Sequence, residues 1–114
     1  MIETWLTAFK DGWKSHDIDA VMALFVDSVE YWETPFQKVE SMSALRREWH
    51  AILSQSNIKI DTKVYSSSDN HHTIIWDLQY LDEDSQPQHL SGTYLITLNH
   101  DGLCRYFYQT GEKV

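Results

Sequence analysis

The sequence predicts an α+β domain in which three N-terminal helices cover one face of an antiparallel sheet. Three observations predict it. Apolar residues recur at helical spacing through the first half, the period drops to two from Asn57 onward, and turn-rich links join the late segments.

In the first helix, about residues 2–14, Ile2, Trp5, Leu6, Phe9 and Trp13 share one face, and Gly12 weakens the last turn without breaking it. Asp17 is a natural N-cap for a second helix, whose stripe of Ile18, Val21, Met22 and Phe25 closes at Asp27 and Ser28. The joint Ser15-His16-Asp17 is short enough to pack the two helices as neighbours. Val29 to Val39, VEYWETPFQKV, reads as strand, turn, strand, because β-branched and aromatic residues flank a Thr-Pro that cannot sit in a central ladder. Ser41 or Ser43 then caps a third helix with Met42, Leu45, Trp49, Ile52 and Leu53 on one side. Four strands follow in IKIDTKVY, HTIIWDLQYL, HLSGTYLITL and LCRYFYQ, joined by SSSDNH, DEDSQPQ and NHDG.

A chain of 114 residues is about one domain long, taken here as 1–114, and at that size buries roughly two-thirds of its unfolded surface. With 42% hydrophobic residues and five Trp, it has enough apolar surface for a core and for a cavity wall. A net charge of −8 with no basic stripe excludes nucleic acid and anionic membrane as partners. The N-terminal segment has no uninterrupted apolar region and no run approaches a membrane span, so a cytoplasmic protein is expected. Cys104 is the only cysteine, which rules out an intrachain disulfide and reads as a buried thiol. His71 and His72 point to opposite strand faces and no HxxxH or HxH spacing occurs, so no metal site is expected. A P-loop, a dinucleotide glycine run and a serine nucleophile elbow are also lacking.

Strand parity places Ile74, Trp76, Leu78 and Tyr80 on one face, and Ile75 and Leu81 on the other beside Asp77 and Gln79. Leu90, Tyr94, Ile96 and Leu98 likewise oppose Thr93, Leu95 and Thr97. One face meets the helices. The other is left partly apolar, which leads to the expectation of a homodimer formed through the open sheet face. Asp77 and Gln79 line either a pocket or a wet interface.

The run WLTAFKDGWKSHDIDAVMALFVDSVEYWETPF, with the final hairpin GTYLITLNHDGLCRYFYQ, resembles the SnoaL-like branch of the NTF2-like superfamily over nearly the whole chain. The resemblance implies a strongly curved, mainly antiparallel sheet wrapped around a long helix into a cone with a pocket at one end. Family members include ketosteroid isomerases, polyketide cyclases, dehydratases and adaptor subunits, so the fold alone supplies no activity. Isomerase-like members use a tyrosine on the first helix, a carboxylate just after the first strand and a protonated acid on the penultimate strand. Those positions correspond here to Phe9, Glu33 and Tyr94. Losing one oxyanion donor of that kind typically costs about 2.7 to 4 kcal/mol of transition-state stabilisation.

Glu33 and Tyr94 are therefore the candidate catalytic pair. Burial among Tyr31, Trp32 and Phe36 can raise the Glu33 carboxyl toward general-base range; alternatively Glu33 is solvated or paired with Lys38 or Arg105. If Leu98 pairs with Leu103 across NHDG, then Ile96 faces Arg105 and Tyr94 faces Phe107, which would bring an arginine into the cone to hold an anion or to neutralise Glu33 or Asp77. The candidate pocket wall comprises Trp5, Phe9, Trp13, Phe25, Tyr31, Phe36 and Trp49, completed by Ile96, Arg105 and Phe107. Two functions remain open. One is a pocket for a small, largely apolar or carbonyl-containing molecule, with proton transfer of isomerase, cyclase or dehydratase type and no cofactor. The other is a non-catalytic dimeric interaction or adaptor module whose cavity is filled by its own rings.

Overall fold

The computed structural model describes residues 1–114. Helix α1, Ile2–Lys14, buries Ile2, Trp5, Leu6, Phe9, Gly12 and Trp13 on its predicted face. Gly12 is where α1 meets helix α2, Ile18–Met22: a Cβ at this position would lie 2.9 Å from Val21 Cγ2. The glycine that weakens the helix thus permits the close crossing. Asp17 caps α2 by accepting a hydrogen bond from the Ala20 amide at 3.0 Å.

Helix α2 is shorter than its apolar stripe suggests. Phe25 opens strand β1, Phe25–Thr34, so Asp27 and Ser28 lie inside a strand instead of closing a helix. The backbone explains the switch. Cys104 N–H donates to the Leu24 carbonyl at 2.8 Å and Phe25 pairs with Cys104, which engages the chain in the sheet immediately after α2. Phe25 is buried either way, since its spacing from Val21 fits a helix stripe while its own strand also points it inward.

Strand β2, Gln37–Val39, turns back antiparallel on β1. Helix α3, Met42–Trp49, is capped by Ser41, whose Oγ accepts from the Ala44 amide at 3.1 Å. It tightens into a 3-10 turn at His50–Ser54. Three residues per turn keep Ile52 buried but rotate Leu53 outward to half exposure, off the expected apolar face. Strands β3 (Ser56–Ser68), β4 (His71–Leu81), β5 (Pro87–Leu98) and β6 (Cys104–Lys113) form the expected meander.

The sheet order is β2-β1-β6-β5-β4-β3, with every neighbouring pair antiparallel except β1 and β6. Its inner face carries Ile74, Trp76, Leu78, Tyr94, Ile96, Leu98, Cys104 and Phe107, all nearly inaccessible. Asp77 and Gln79 belong to the outer face, where His89 Nε2 lies 2.7 Å from Asp77 Oδ1. Register irregularities on β3, between Ser56 and Lys59 and between Val64 and Ser66, bend the long meander over α1.

The final hairpin corrects the expected register. Leu98 pairs with Cys104, but Thr97 pairs with Tyr106, so Arg105 is an unpaired bulge residue. Ile96 then faces Phe107, Tyr94 faces Gln109, and Arg105 turns out to solvent. A buried cationic group in the cone would have had to lose its hydration, and the bulge avoids that cost.

Strands β5 and β6 approach closely at Gly92 and Gly111, where a Cβ on Gly92 would sit 1.9 Å from the Thr110 carbonyl oxygen. Because the obstacle is backbone, Gly92→Ala is expected to destabilise the fold by about 1–3 kcal/mol or more. Urea unfolding measures it, and an unchanged midpoint would contradict this pairing.

Candidate functional site

Phe9 and Trp13 reach into the open end of the cone from α1, and Trp49 approaches from α3. The three rings are mutually perpendicular, with interplanar angles of 86°, 89° and 88° and centroids 4.9 to 5.7 Å apart. Edge-to-face contacts of this kind satisfy the ring quadrupoles and fix the rings in place. Trp13 is held further by its indole N–H, which donates to Gln55 Oε1 at 2.8 Å. With its acceptor oxygen so engaged, Gln55 keeps its amide hydrogens for another group.

The opposite wall comes from the sheet. On β1, Tyr31 and Glu33 share the inner face by strand parity, and Tyr31 stacks on Phe107 at 4.6 Å. Gln109 Nε2 donates to the Glu33 backbone carbonyl at 3.0 Å, tying the end of β1 to β6. Across the next ladder Gln109 pairs with Tyr94, so Glu33, Gln109 and Tyr94 form one row across three strands.

Together these groups enclose a cavity of about 140 Å3, open to solvent on one side and completed by Glu48, Ala51 and Ile52. Its wall includes Glu33 and Tyr94 with Phe9, Trp13, Tyr31 and Trp49. The remaining expected wall residues lie elsewhere. Trp5, Phe25, Ile96 and Phe107 are buried deeper, in the closed part of the core beyond the cavity. Trp5 there donates from Nε1 to the Leu24 carbonyl at 3.0 Å, joining α1 to the start of β1. Phe36 is 93% exposed at the turn between β1 and β2, because the Thr-Pro turn carries it past the cone rim. Arg105 is excluded by the bulge in β6.

Electrostatically the site is short of positive charge. Glu33 is half-buried and its carboxyl is pushed up to about 7, first by burial and then by the negative charge of Glu48, with the Gln109 amide pulling the other way. Tyr94 is 1% exposed, and burial, followed by the Glu33 charge, raises its phenol far above its ordinary value. The Tyr31 phenol is raised for the same two reasons in the same order. Both tyrosines are thus neutral hydrogen-bond donors at any ordinary pH. Trp49 Nε1 is buried without an acceptor in the chain. Cys104, with its thiol pushed up to about 12 mainly by burial, lies outside the cavity and is inert.

Three polar groups of the site escaped the reading of the sequence. Glu48 had a signal: it lies three residues after Leu45 and four before Ile52, on the apolar stripe of α3, where a carboxylate is out of place. Gln109 also had a signal, since it shares parity with Phe107, which the sequence places on the cone face. Gln55 follows a change from α to 3-10 geometry, and nothing in the local pattern announces it.

Comparison with known proteins agrees with the architecture. A ketosteroid isomerase from Mycobacterium sp. superposes with a TM-score of 0.81 at 13% identity, covering 97% of this chain and 96% of the other. SalBIII, an epoxide hydrolase/cyclase-like enzyme of pyran ring formation in the polyether salinomycin, gives 0.82 at 12% identity over 96% and 89%. A Mycobacterium tuberculosis protein in complex with estradiol-17beta-hemisuccinate gives 0.78 at 15% identity over 93% and 89%. At these identities the likeness speaks for the fold alone. Among curated proteins none matches the chain in sequence. The SnoaL-like domain family matches residues 6–107, so the chain belongs to that family and shares the NTF2-like fold of its solved relatives.

Proposed function

We propose that this protein binds a small carbonyl compound in the aromatic cavity and moves a proton next to its carbonyl group, without a cofactor. One observation carries the reading: a half-buried carboxyl raised to about 7 shares a single cavity with a nearly inaccessible, neutral phenol. A base whose pKa lies near the working pH combines a usable ionised fraction with useful basicity.

Ionised Glu33 takes a proton from the carbon adjacent to the carbonyl. The C–H electron pair becomes the new C=C bond while the carbonyl π pair moves onto oxygen. Tyr94 donates its hydroxyl hydrogen bond to that developing oxyanion, and the free amide of Gln55 is available as a second donor. Neutral Glu33 then returns the proton to the same carbon or to a conjugated one, so atoms and electrons balance within the substrate.

Cavity size narrows the substrate. The volume of about 140 Å3 is near that of an engineered apolar cavity of about 150 Å3 that admits benzene, and below the roughly 300–1,000 Å3 of drug-sized sites. One ring fits, whereas four fused rings do not fit this arrangement of side chains. A filled cone would have favoured a non-catalytic interaction module, and the open cavity weighs against that alternative. The outer sheet face keeps Ile75 43% and Leu95 37% exposed, which supports a homodimer through that face. Sedimentation is expected to give a dimer at micromolar concentration, and a monomer at high micromolar concentration would count against it.

The reaction is tested by α-proton exchange of cyclohexanone in D2O, followed by NMR. Exchange should be accelerated by the protein, rise with pH through about 7 as Glu33 ionises, and fall by about 100-fold or more in Glu33→Gln. Exchange that persists in that variant would remove Glu33 from the mechanism.

The same carboxyl predicts a stability effect whose sign is set by linkage. The folded pKa lies above the unfolded one, so the native state is favoured by the protonated form, and stability is lost as pH rises from about 4.5 through about 7. Glu33→Gln removes this loss. Its melting temperature relative to wild type should be higher at pH 8 than at pH 4, and equal differences at both pH values would show that the carboxyl is not perturbed.

A further inference from the structure

The cavity holds two carboxylates, Glu33 and Glu48, and no lysine, arginine or histidine lines it. Neither acid is paired elsewhere, since the ion pairs of the chain are Arg46 with Asp19, His89 with Asp77 and His100 with Asp101. Phe9, Trp13 and Trp49 add a corner of three mutually perpendicular rings, whose faces carry negative quadrupole potential in more than one direction. Aromatic rings with two carboxylates and no cation in one cavity repel anions and favour a cation.

The two ends of the cavity differ. Glu48 is solvent-exposed on α3 and marks the outer end, whereas Tyr94, 1% exposed, marks the inner end. At the inner end Tyr94 lines the cavity as a neutral phenol donor, and its hydroxyl takes part in none of the side-chain hydrogen bonds of the chain. The site therefore lacks an acceptor atom inside and a positive charge outside. We infer that its substrate is a small carbonyl compound that also carries a cationic nitrogen, with the carbonyl at Tyr94 and Glu33 and the ammonium held by Glu48 and the Trp13 and Trp49 rings. This assignment rests on the proton-transfer reading and makes Glu48 the residue that selects charge.

The surroundings of Glu33 agree with it. The titratable groups facing this carboxyl are Glu48 on α3, Tyr31 on its own strand and Tyr94 on β5, none of which supplies positive charge near neutral pH. A substrate cation would fill that gap and favour the ionised form in which Glu33 acts as base.

Two ring ketones of matched shape test the inference: 1,1-dimethyl-4-oxopiperidinium, with a fixed charge, and 4,4-dimethylcyclohexanone, with none. Binding is read at pH 8 from the indole N–H resonances of Trp13 and Trp49 in the 15N-labelled protein. The ammonium ketone should bind on the order of tenfold tighter than its neutral counterpart. Glu48→Gln should shrink that ratio by about threefold or more, and its surface position leaves the fold intact for the measurement. Equal or tighter binding of the neutral ketone would overturn the inference while leaving the proton-transfer reading in place. A preference that survives Glu48→Gln unchanged would remove Glu48 from the assignment, and failure of both ketones to bind would overturn the cavity reading and the inference together.

Discussion

Phe9 on α1 is fully buried and its ring lies 5.0 to 6.1 Å from five others, those of Trp5, Trp13, Trp49, Tyr94 and Phe107. These contacts tie α1 at once to α3, β5 and β6. Aromatic pairs contribute roughly 0.5–1.5 kcal/mol each beyond the area they bury, and their edge-to-face geometry tolerates little sliding. The ring thus sets how far the helix stands from the sheet, and with that distance the volume left at the open end of the cone. A tyrosine at this position in isomerase-like relatives would donate a hydrogen bond. Phe9 gives up that donor, and its ring, inaccessible to solvent, packs against five other rings in the cavity wall.

Drying this corner has an electrostatic consequence. The same rings that exclude water from the cavity wall withdraw hydration from Glu33, and Glu48 adds a like charge where a counter-ion would restore it. Lysines and arginines are not scarce in the chain, but the folding pattern directs them outward: Arg46 to Asp19 on the surface, Arg105 into the bulge of β6. A carboxyl pushed up by burial and a like charge, in a cavity and without a countercharge, marks a candidate functional site.

The elements of this fold were legible where a single period persisted. Helix α1 and the four-strand meander follow directly from spacing, and the inward faces of β4 and β5 from parity, because each long strand buries one face and any one-residue slip would expose it. Legibility failed where two periods met. Phe25 satisfies a helix stripe and a strand face alike, so only the bonding of β1 to β6 ends α2 at Met22. The bulge at Arg105 changes parity by one residue within an apparently regular strand, and the local residues fit either register. Glu33 and Tyr94 could be placed on facing walls, but the cavity between them depends on Phe9, Trp13 and Trp49 meeting from two helices. No local pattern encodes that sum.

In the proposed reaction, the charge on Glu33 would also couple the two polar groups in a direction that favours proton transfer. While Glu33 is ionised, its field raises the Tyr94 phenol and weakens it as a hydrogen-bond donor. Under the proposed proton transfer that field would vanish once Glu33 had accepted a proton, and Tyr94 would become a stronger donor just as negative charge appeared on the substrate oxygen. An interaction that is weak toward the ground state and strong toward the charged intermediate lowers the barrier instead of merely tightening binding. In a site with Phe9 on its first helix, this switching would let a single buried tyrosine contribute more to the transition state of the proposed reaction than its static geometry implies.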